Sequence, residues 1–225
     1  MIKLDNVTKE FNLDEQVITP VRDVSLEVGK GEFVIIIGRS GTGKSTMLNL
    51  VAGLIRPSSG RVLVEGRDLA ELSDREMSRL RSREMGYVFQ FPSLLPSLSI
   101  RDNIAMPSTF SADKNRKGSP GRAEELLEML GLGERMECYP RHLSAGEQKR
   151  AVIARSLMNE PRILLADEPT SDLDERTESE IMGLLKQIHD NGMTILMVTH
   201  SLALVPYATR AYSMDKGQLT LLHEK

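Results

Sequence analysis

Apolar and polar residues alternate along Ile2-Lys3-Leu4-Asp5-Asn6-Val7 and again along Val24-Ser25-Leu26-Glu27-Val28, the period of strands with one buried face. Phe33-Val34-Ile35-Ile36-Ile37 is apolar at every position, which predicts a central strand covered on both sides. The period then lengthens over residues 43–54, where Met47, Leu48, Leu50 and Val51 form the apolar side of a helix. A Pro57-Ser58-Ser59-Gly60 turn leads into a short strand at Arg61-Val62-Leu63-Val64.

Residues 73–158 carry mostly helical patterns, over 76–83, 123–130 and 147–158, interrupted by one strand at Gly86-Tyr87-Val88-Phe89. Residues 107–121 are polar, rich in Pro, Gly, Ser and Lys, and without period, so they are expected to form a mobile connection. Beyond them lie an apolar strand at Ile163-Leu164-Leu165-Ala166, a helix over 175–190, a strand at 194–198 and a terminal pair of strands around Asp215-Lys216-Gly217. Strand and helix alternating around fully apolar strands predict an α/β chain with a parallel sheet, carrying a helical insertion from about 73 to 158.

The chain has 225 residues, enough for one continuous core, and its 40% hydrophobic and 27% charged content is that of a globular protein. A net charge of -3 supplies no basic footprint, so no nucleic-acid partner is expected. Cys138 is the one cysteine, which excludes an internal disulfide and any cysteine-cluster metal site. The first residues lack a signal-peptide core, and the longest apolar run, 33–37, is far too short to span a bilayer. Any membrane span is expected to come from another chain.

Gly38-Arg39-Ser40-Gly41-Thr42-Gly43-Lys44-Ser45 matches the phosphate-binding P-loop and sits where its mechanism requires, between an apolar strand and a helix. The glycines let backbone N–H groups wrap a phosphate, the helix N-terminus adds partial positive charge, and Lys44 neutralises β- and γ-oxygens. Ser45 offers a hydroxyl to Mg²⁺. A nucleoside triphosphate is the expected ligand.

The strand 163–166 ends in Asp167 and Glu168, at the carboxyl edge of the sheet where open α/β folds bind ligands. Asp167 is suited to hold Mg²⁺ through a water, and Glu168 to deprotonate the water that attacks the γ-phosphate. Ser171 and Asp174 are the better caps for the helix that follows. His142 precedes a helix, His189 ends one and His223 lies in the tail, so only His200 follows a strand at that same edge, within reach of a γ-phosphate. Gln90 ends the 86–89 strand and can turn its amide oxygen to Mg²⁺ or to the attacking water. With five Phe, four Tyr and no Trp, platforms for an adenine ring are few. Phe33 reads as buried and Phe110 falls in the polar stretch, which leaves Phe11 as a stacking platform or a peripheral core residue.

Leu143-Ser144-Ala145-Gly146-Glu147-Gln148, just ahead of a helix and upstream of Asp167, closely resembles the signature of ABC-type ATPases. The resemblance covers almost the whole chain: Phe11 matches the adenine-stacking position, Gln90 the Q-loop, Ser171-Asp172-Leu173-Asp174 the D-loop and His200 the switch histidine. Within the family, Gln90 followed by Leu94-Leu95-Pro96-Ser97-Leu98, and Tyr139-Pro140 before the signature, are similar to the lipoprotein-releasing and macrolide-export branch. The cell-division ABC ATPase is similar too.

The resemblance implies a single P-loop NTPase domain of the ABC type. A parallel-sheet core with an antiparallel β subdomain takes about 1–72 and 159–225, and a helical signature subdomain with the Q-loop takes about 73–158. It also implies a head-to-tail homodimer in the ATP state, each Mg-ATP lying between the P-loop of one copy and the signature of the other. The implied nucleotide set is Phe11, 38–45 with Thr46, Ser144, Ala145, Gly146, Glu147 and Asp174. Lys44, Gln90, Glu168 and His200 act in hydrolysis, and Ser45, Gln90 and Asp167 face the metal. The function implied is an ATP-hydrolysing motor on the cytoplasmic face of a membrane, docked on a separate permease through the segment from Phe91 to Leu98 and serving export or extraction. A nucleotide-dependent mechanical or signalling module of the cell-division type is the alternative. The signature departs from the family pattern twice, with Ala145 in place of Gly and Glu147 in place of Gln. A strained backbone at Ala145 and repulsion between Glu147 and the γ-phosphate are expected to weaken the dimer.

Overall fold

The structure, a computed structural model, describes residues 1–14, 16–110 and 121–224. Two sheets organise it. The first is antiparallel, in the order β2-β1-β4-β5, from β1 (Ile2–Leu13), β2 (Gln16–Val28), β4 (Ser59–Val64) and β5 (Arg67–Asp68). The second runs β10-β9-β3-β8-β7-β6, where β3 (Phe33–Ile37), β6 (Met85–Val88), β7 (Ile163–Asp167), β8 (Thr194–Thr199) and β9 (Arg210–Asp215) pair in parallel. β10 (Gln218–Glu224) closes the edge antiparallel to β9.

The fully apolar strands are explained by what lies on either side of the parallel sheet. On one face Val34, Ile36, Leu165, Leu196 and Val198 pack against α1 (Lys44–Val51) and the antiparallel sheet. On the other, Phe33, Ile35, Leu164, Ile195 and Met197 pack against α3 (Ile100–Thr109), α4 (Arg122–Met129), α5 (Ala145–Leu157) and α6 (Glu175–Asp190). Because successive strand residues point to opposite faces, a strand serving two cores must be apolar at every position. No helix among the described residues is long and apolar enough to cross a membrane.

Three expectations change. The first hairpin is far longer than its alternating segments: register shifts between Leu4 and Val7, Val7 and Lys9, and Lys9 and Phe11 break the alternation while leaving the strands paired. α3 lies where no helix is expected, started by the Ser99 side chain, which accepts from the Asp102 N–H, and it tolerates Pro107 near its end. Residues 107–109 are therefore helical, not part of a mobile connection; 111–120 of that stretch lie outside the described residues. α2 (Asp74–Glu84) begins in a reciprocal cap between Ser73 and Glu76.

Candidate functional site

The loop after β3 turns sharply into α1. Gly43, at φ 105°, lies so close to Pro20 that an added Cβ would sit 1.8 Å from that carbonyl oxygen, so only glycine fits the turn. Gly38 N–H donates to the Thr199 carbonyl at 3.1 Å, and Thr42 Oγ1 donates to the Arg39 carbonyl at 2.9 Å, which pins the loop at the end of β8. Lys44 is buried. Its Nζ donates to the carbonyls of Gly38 (2.7 Å) and Arg39 (3.0 Å) and lies 3.5 Å from Glu168 Oε1.

β7 delivers two carboxylates to the same place. Asp167 is buried and accepts from Ser45 Oγ at 3.0 Å. Burial pushes its carboxyl above the usual range, helped by the charge of Glu168 and opposed by Ser45 and Lys44. Glu168 takes φ 45°, a strained left-handed backbone for a side chain of that size, while its N–H donates to the Val198 carbonyl. The twist turns its carboxylate between Lys44 on one side and His200 on the other, where Nδ1 of His200 is 2.6 Å from Oε2.

Glu168 and His200 line a cleft of about 1080 Å³ together with Gly38, Arg39, Ser40, Thr42 and Gln90, and Lys44 adjoins it through Gly38, Arg39 and Glu168. Its far wall is Ser213, Met214 and Asp215 at the end of β9. Sequence reading missed that wall because it depends on β9 pairing in parallel with β3 across most of the chain, from Val34↔Arg210 onward. Gly41 and Thr46 belong to the same turn and first helical residues, with Gly41 at φ 79°. Ser45 and Asp167 offer oxygen donors only, the donor type a magnesium ion takes, and no group of three His, Cys, Asp or Glu among the described residues makes an all-protein cage. A divalent ion here fits once phosphate oxygens complete its shell. Chemically, the cleft offers a cation, a loop and helix N-terminus for phosphate, and a carboxylate placed to accept a proton.

Phe11 does not join this cleft. It is 39% exposed on the first hairpin, opposite Ile18, with the Lys9 ammonium 4.9 Å from its ring centroid. Ser144, Ala145, Gly146 and Glu147 also stand away from the cleft, at the start of α5. There Ser144 and Glu147 cap the helix reciprocally, and Arg135 Nε holds Glu147 Oε1 at 3.1 Å. Ser144's backbone N–H, with Arg135 adding to it, draws the Glu147 carboxyl below its usual range. Ala145 is the first residue of α5 and its φ is not positive, so the expected strain at this position is absent. The expected repulsion is also reduced, because Arg135 offsets the Glu147 charge. Gly146 lies so close to α6 that a Cβ would meet Thr177 Cγ2 at 2.6 Å. Asp174 caps α6, with both carboxylate oxygens accepting from Thr177, rather than facing its own cleft. Of the segment from Phe91 to Leu98, Phe91 is 71% exposed whereas Leu94 packs into the core.

The sequence profile described as ABC transporter matches residues 21–171. An uncharacterized ABC transporter ATP-binding protein of Thermotoga maritima is 42% identical over 97% of this chain and 93% of its own length. A macrolide export ATP-binding/permease protein of Wolinella succinogenes is 40% identical over 98% of this chain, which spans 34% of that larger protein. Among solved structures, the dimeric post-hydrolysis state of the ATP-binding cassette MJ0796, bound to ADP and Pi, superposes with a TM-score of 0.90 at 36% identity, covering 100% of this chain and 99% of its own.

Proposed function

The chain belongs to the ABC transporter family, and we propose that it is an ATP-hydrolysing motor subunit that closes on a second copy of itself around two ATP molecules and drives a separate membrane permease in export or extraction. The observation that carries the reading is Glu168 set between Lys44 and His200 at the mouth of a P-loop.

In this reading the loop 38–43, the N-terminus of α1 and the Lys44 ammonium bind the phosphates, whose negative charge draws Lys44 away from Glu168. Ser45 and Asp167, with Gln90 in the same cleft, would hold a magnesium ion that neutralises β- and γ-oxygens. Glu168 accepts the proton of the attacking water, and His200 orients that carboxylate and meets the γ-phosphate. Phe11 offers its partly exposed ring to adenine. Ser144, Ala145, Gly146 and Glu147 are too remote to serve their own cleft and act on the nucleotide of the second copy, beside Asp174. The dimeric MJ0796 cassette supports that arrangement, and the fusion of ATP-binding and permease parts in the macrolide exporter supports a permease partner for this chain. The exposed Phe91 belongs to the surface offered to that permease, directly after Gln90. Of the two units, 1–72 with 159–225 and 73–158, the second reaches into the core sheet through β6, which pairs with β7.

The test is a pull-down of tagged Glu168→Gln protein from native membranes with Mg-ATP, alongside ATP hydrolysis by the purified wild type. Hydrolysis together with a polytopic membrane protein in the captured material is the expected result. Hydrolysis with soluble partners, or with none, would replace the transporter reading by a mechanical or signalling module.

A further inference from the structure

Three charged side chains are buried among the described residues: Lys44, Asp167 and Lys149. The first two belong to the group at the phosphate loop and the end of β7, whereas Lys149 stands on α5 with no task in the proposed hydrolysis. It is 5% exposed, and an ammonium withdrawn from water that far is costly unless a well-placed acceptor offsets the loss. Burial pushes its pKa down against the pull of Asp172 and Glu168. Its Nζ donates to the main-chain carbonyl of Gln90 at 2.5 Å.

Gln90 lies in a segment, 89–99, that is neither helix nor strand and so has no ladder of its own to fix its backbone. α5 supplies the anchor. Besides Lys149, its Arg155 donates to the Ser93 carbonyl at 2.8 Å and to Ser93 Oγ at 3.0 Å. One rigid helix therefore carries the signature residues at its N-terminus and, further along, grips the main chain from which the Gln90 side chain enters the cleft. A clamp on that carbonyl sets where the amide oxygen of Gln90 points.

We propose that Lys149 is a positioning residue for hydrolysis, tying the Gln90 main chain to α5 so that the Gln90 side chain and the signature are placed by one element. The proposal rests on the ATPase reading and deepens it: any displacement of α5 that brings the signature to a nucleotide also moves Gln90 in the neighbouring cleft.

Methionine has nearly the volume of lysine and cannot donate, so Lys149→Met removes the tie with little change in packing. Turnover of wild type and Glu168→Gln is read first. A wild type that hydrolyses no ATP, or a Glu168→Gln variant as fast as wild type, overturns the ATPase reading and this assignment with it. With hydrolysis established, Lys149→Met is expected to lower kcat about tenfold, equal to about 1.4 kcal/mol, with KM for ATP changed less than about twofold. In combination with Gln90→Ala it is expected to cost nothing beyond Gln90→Ala alone, because the tie acts only through Gln90. An unchanged kcat, or a double variant in which the two losses multiply, overturns the proposal. Should Lys149→Met fail to fold, Lys149→Gln, whose donor is one bond shorter and uncharged, enters the same cycle, where a lowered kcat absorbed by Gln90→Ala supports the tie and independent losses overturn it.

Discussion

Nδ1 of His200 lies 2.6 Å from Oε2 of Glu168, and the other oxygen of the same carboxylate faces Lys44 at 3.5 Å. The end of β8 and the start of α1 thus hold one carboxylate from both sides. Glutamine at 168 keeps the shape and loses the basicity. Glu168→Gln is expected to bind ATP as wild type does while turnover falls about 10²-fold or more, and to accumulate an ATP-bound dimer. Steady-state hydrolysis and gel filtration with ATP measure both, and an undiminished turnover would take Glu168 out of the chemistry.

Lys44 is the buried cation beside the cleft, held on the Gly38 and Arg39 carbonyls, whereas the arginine that lines the cleft, Arg39, is exposed. Lys44→Ala is expected to weaken ATP binding itself rather than turnover alone, by about tenfold or more for the loss of a charged hydrogen bond worth about 1.5–3 kcal/mol. Equilibrium binding of a fluorescent ATP analogue reads this directly. Normal affinity would contradict the phosphate-cradle assignment.

Asp167 carries a sign for the pH dependence of stability. Its folded pKa is raised, so above that value the nucleotide-free fold bears the cost of an ionised, buried carboxylate. As pH falls through the raised pKa the folded protein takes up a proton before the unfolded chain does, and the cost shrinks until both are protonated below the ordinary aspartate value near 3.8. Asp167→Asn is therefore expected to raise the Tm of the nucleotide-free protein at neutral pH, each 1 kcal/mol of relieved cost being worth about 2–4 °C at this length. The gain should fade toward pH 4, and a gain that grew on acidification would reverse the assignment.

At the signature, Ala145 is the first residue of α5 with no positive φ and Glu147 is offset by Arg135, so in the proposed dimer the methyl of Ala145 is the departure left to act at the interface. In a Glu168→Gln background, Ala145→Gly is expected to strengthen the ATP-dependent dimer about threefold to tenfold, about 1 kcal/mol. Analytical ultracentrifugation with ATP tests this, and equal dimer affinity would make the departure neutral.

How far the chain could be read before its structure follows from what kind of interaction decides each part. The P-loop, the Asp167–Glu168 pair and His200 were legible because each follows an apolar strand, and strand ends of one parallel sheet converge. The hairpin beyond Val7 was not, because bulges erase the alternation on which strand reading depends. α3 was hidden by Pro107 and by a start signal, Ser99 with Asp102, that is indistinguishable from a turn until the helix is seen. Lys149 and Arg135 gave no signal at all: a lysine on a charged helix reads as solvated, and their partners, Gln90 and Glu147, lie far off in sequence or across a loop. Asp174 suits two roles by its sequence, cap and nucleotide contact, and the structure uses its carboxylate as a cap.

The strand that feeds the phosphate loop has neighbours only from the far part of the chain. β3 pairs with β8 and β9, beginning with Phe33↔Ile195 and Val34↔Arg210. During synthesis those residues leave the ribosome long after the loop itself, so β3 gains its sheet partners only once β8 and β9 have emerged, while one of its faces already has α1 and the first hairpin to pack against. Such distant pairing makes folding slow. The loop's own tie to β8, the Gly38 N–H on the Thr199 carbonyl, forms only when that pairing does, so an ordered phosphate loop marks a chain whose distant strands have docked.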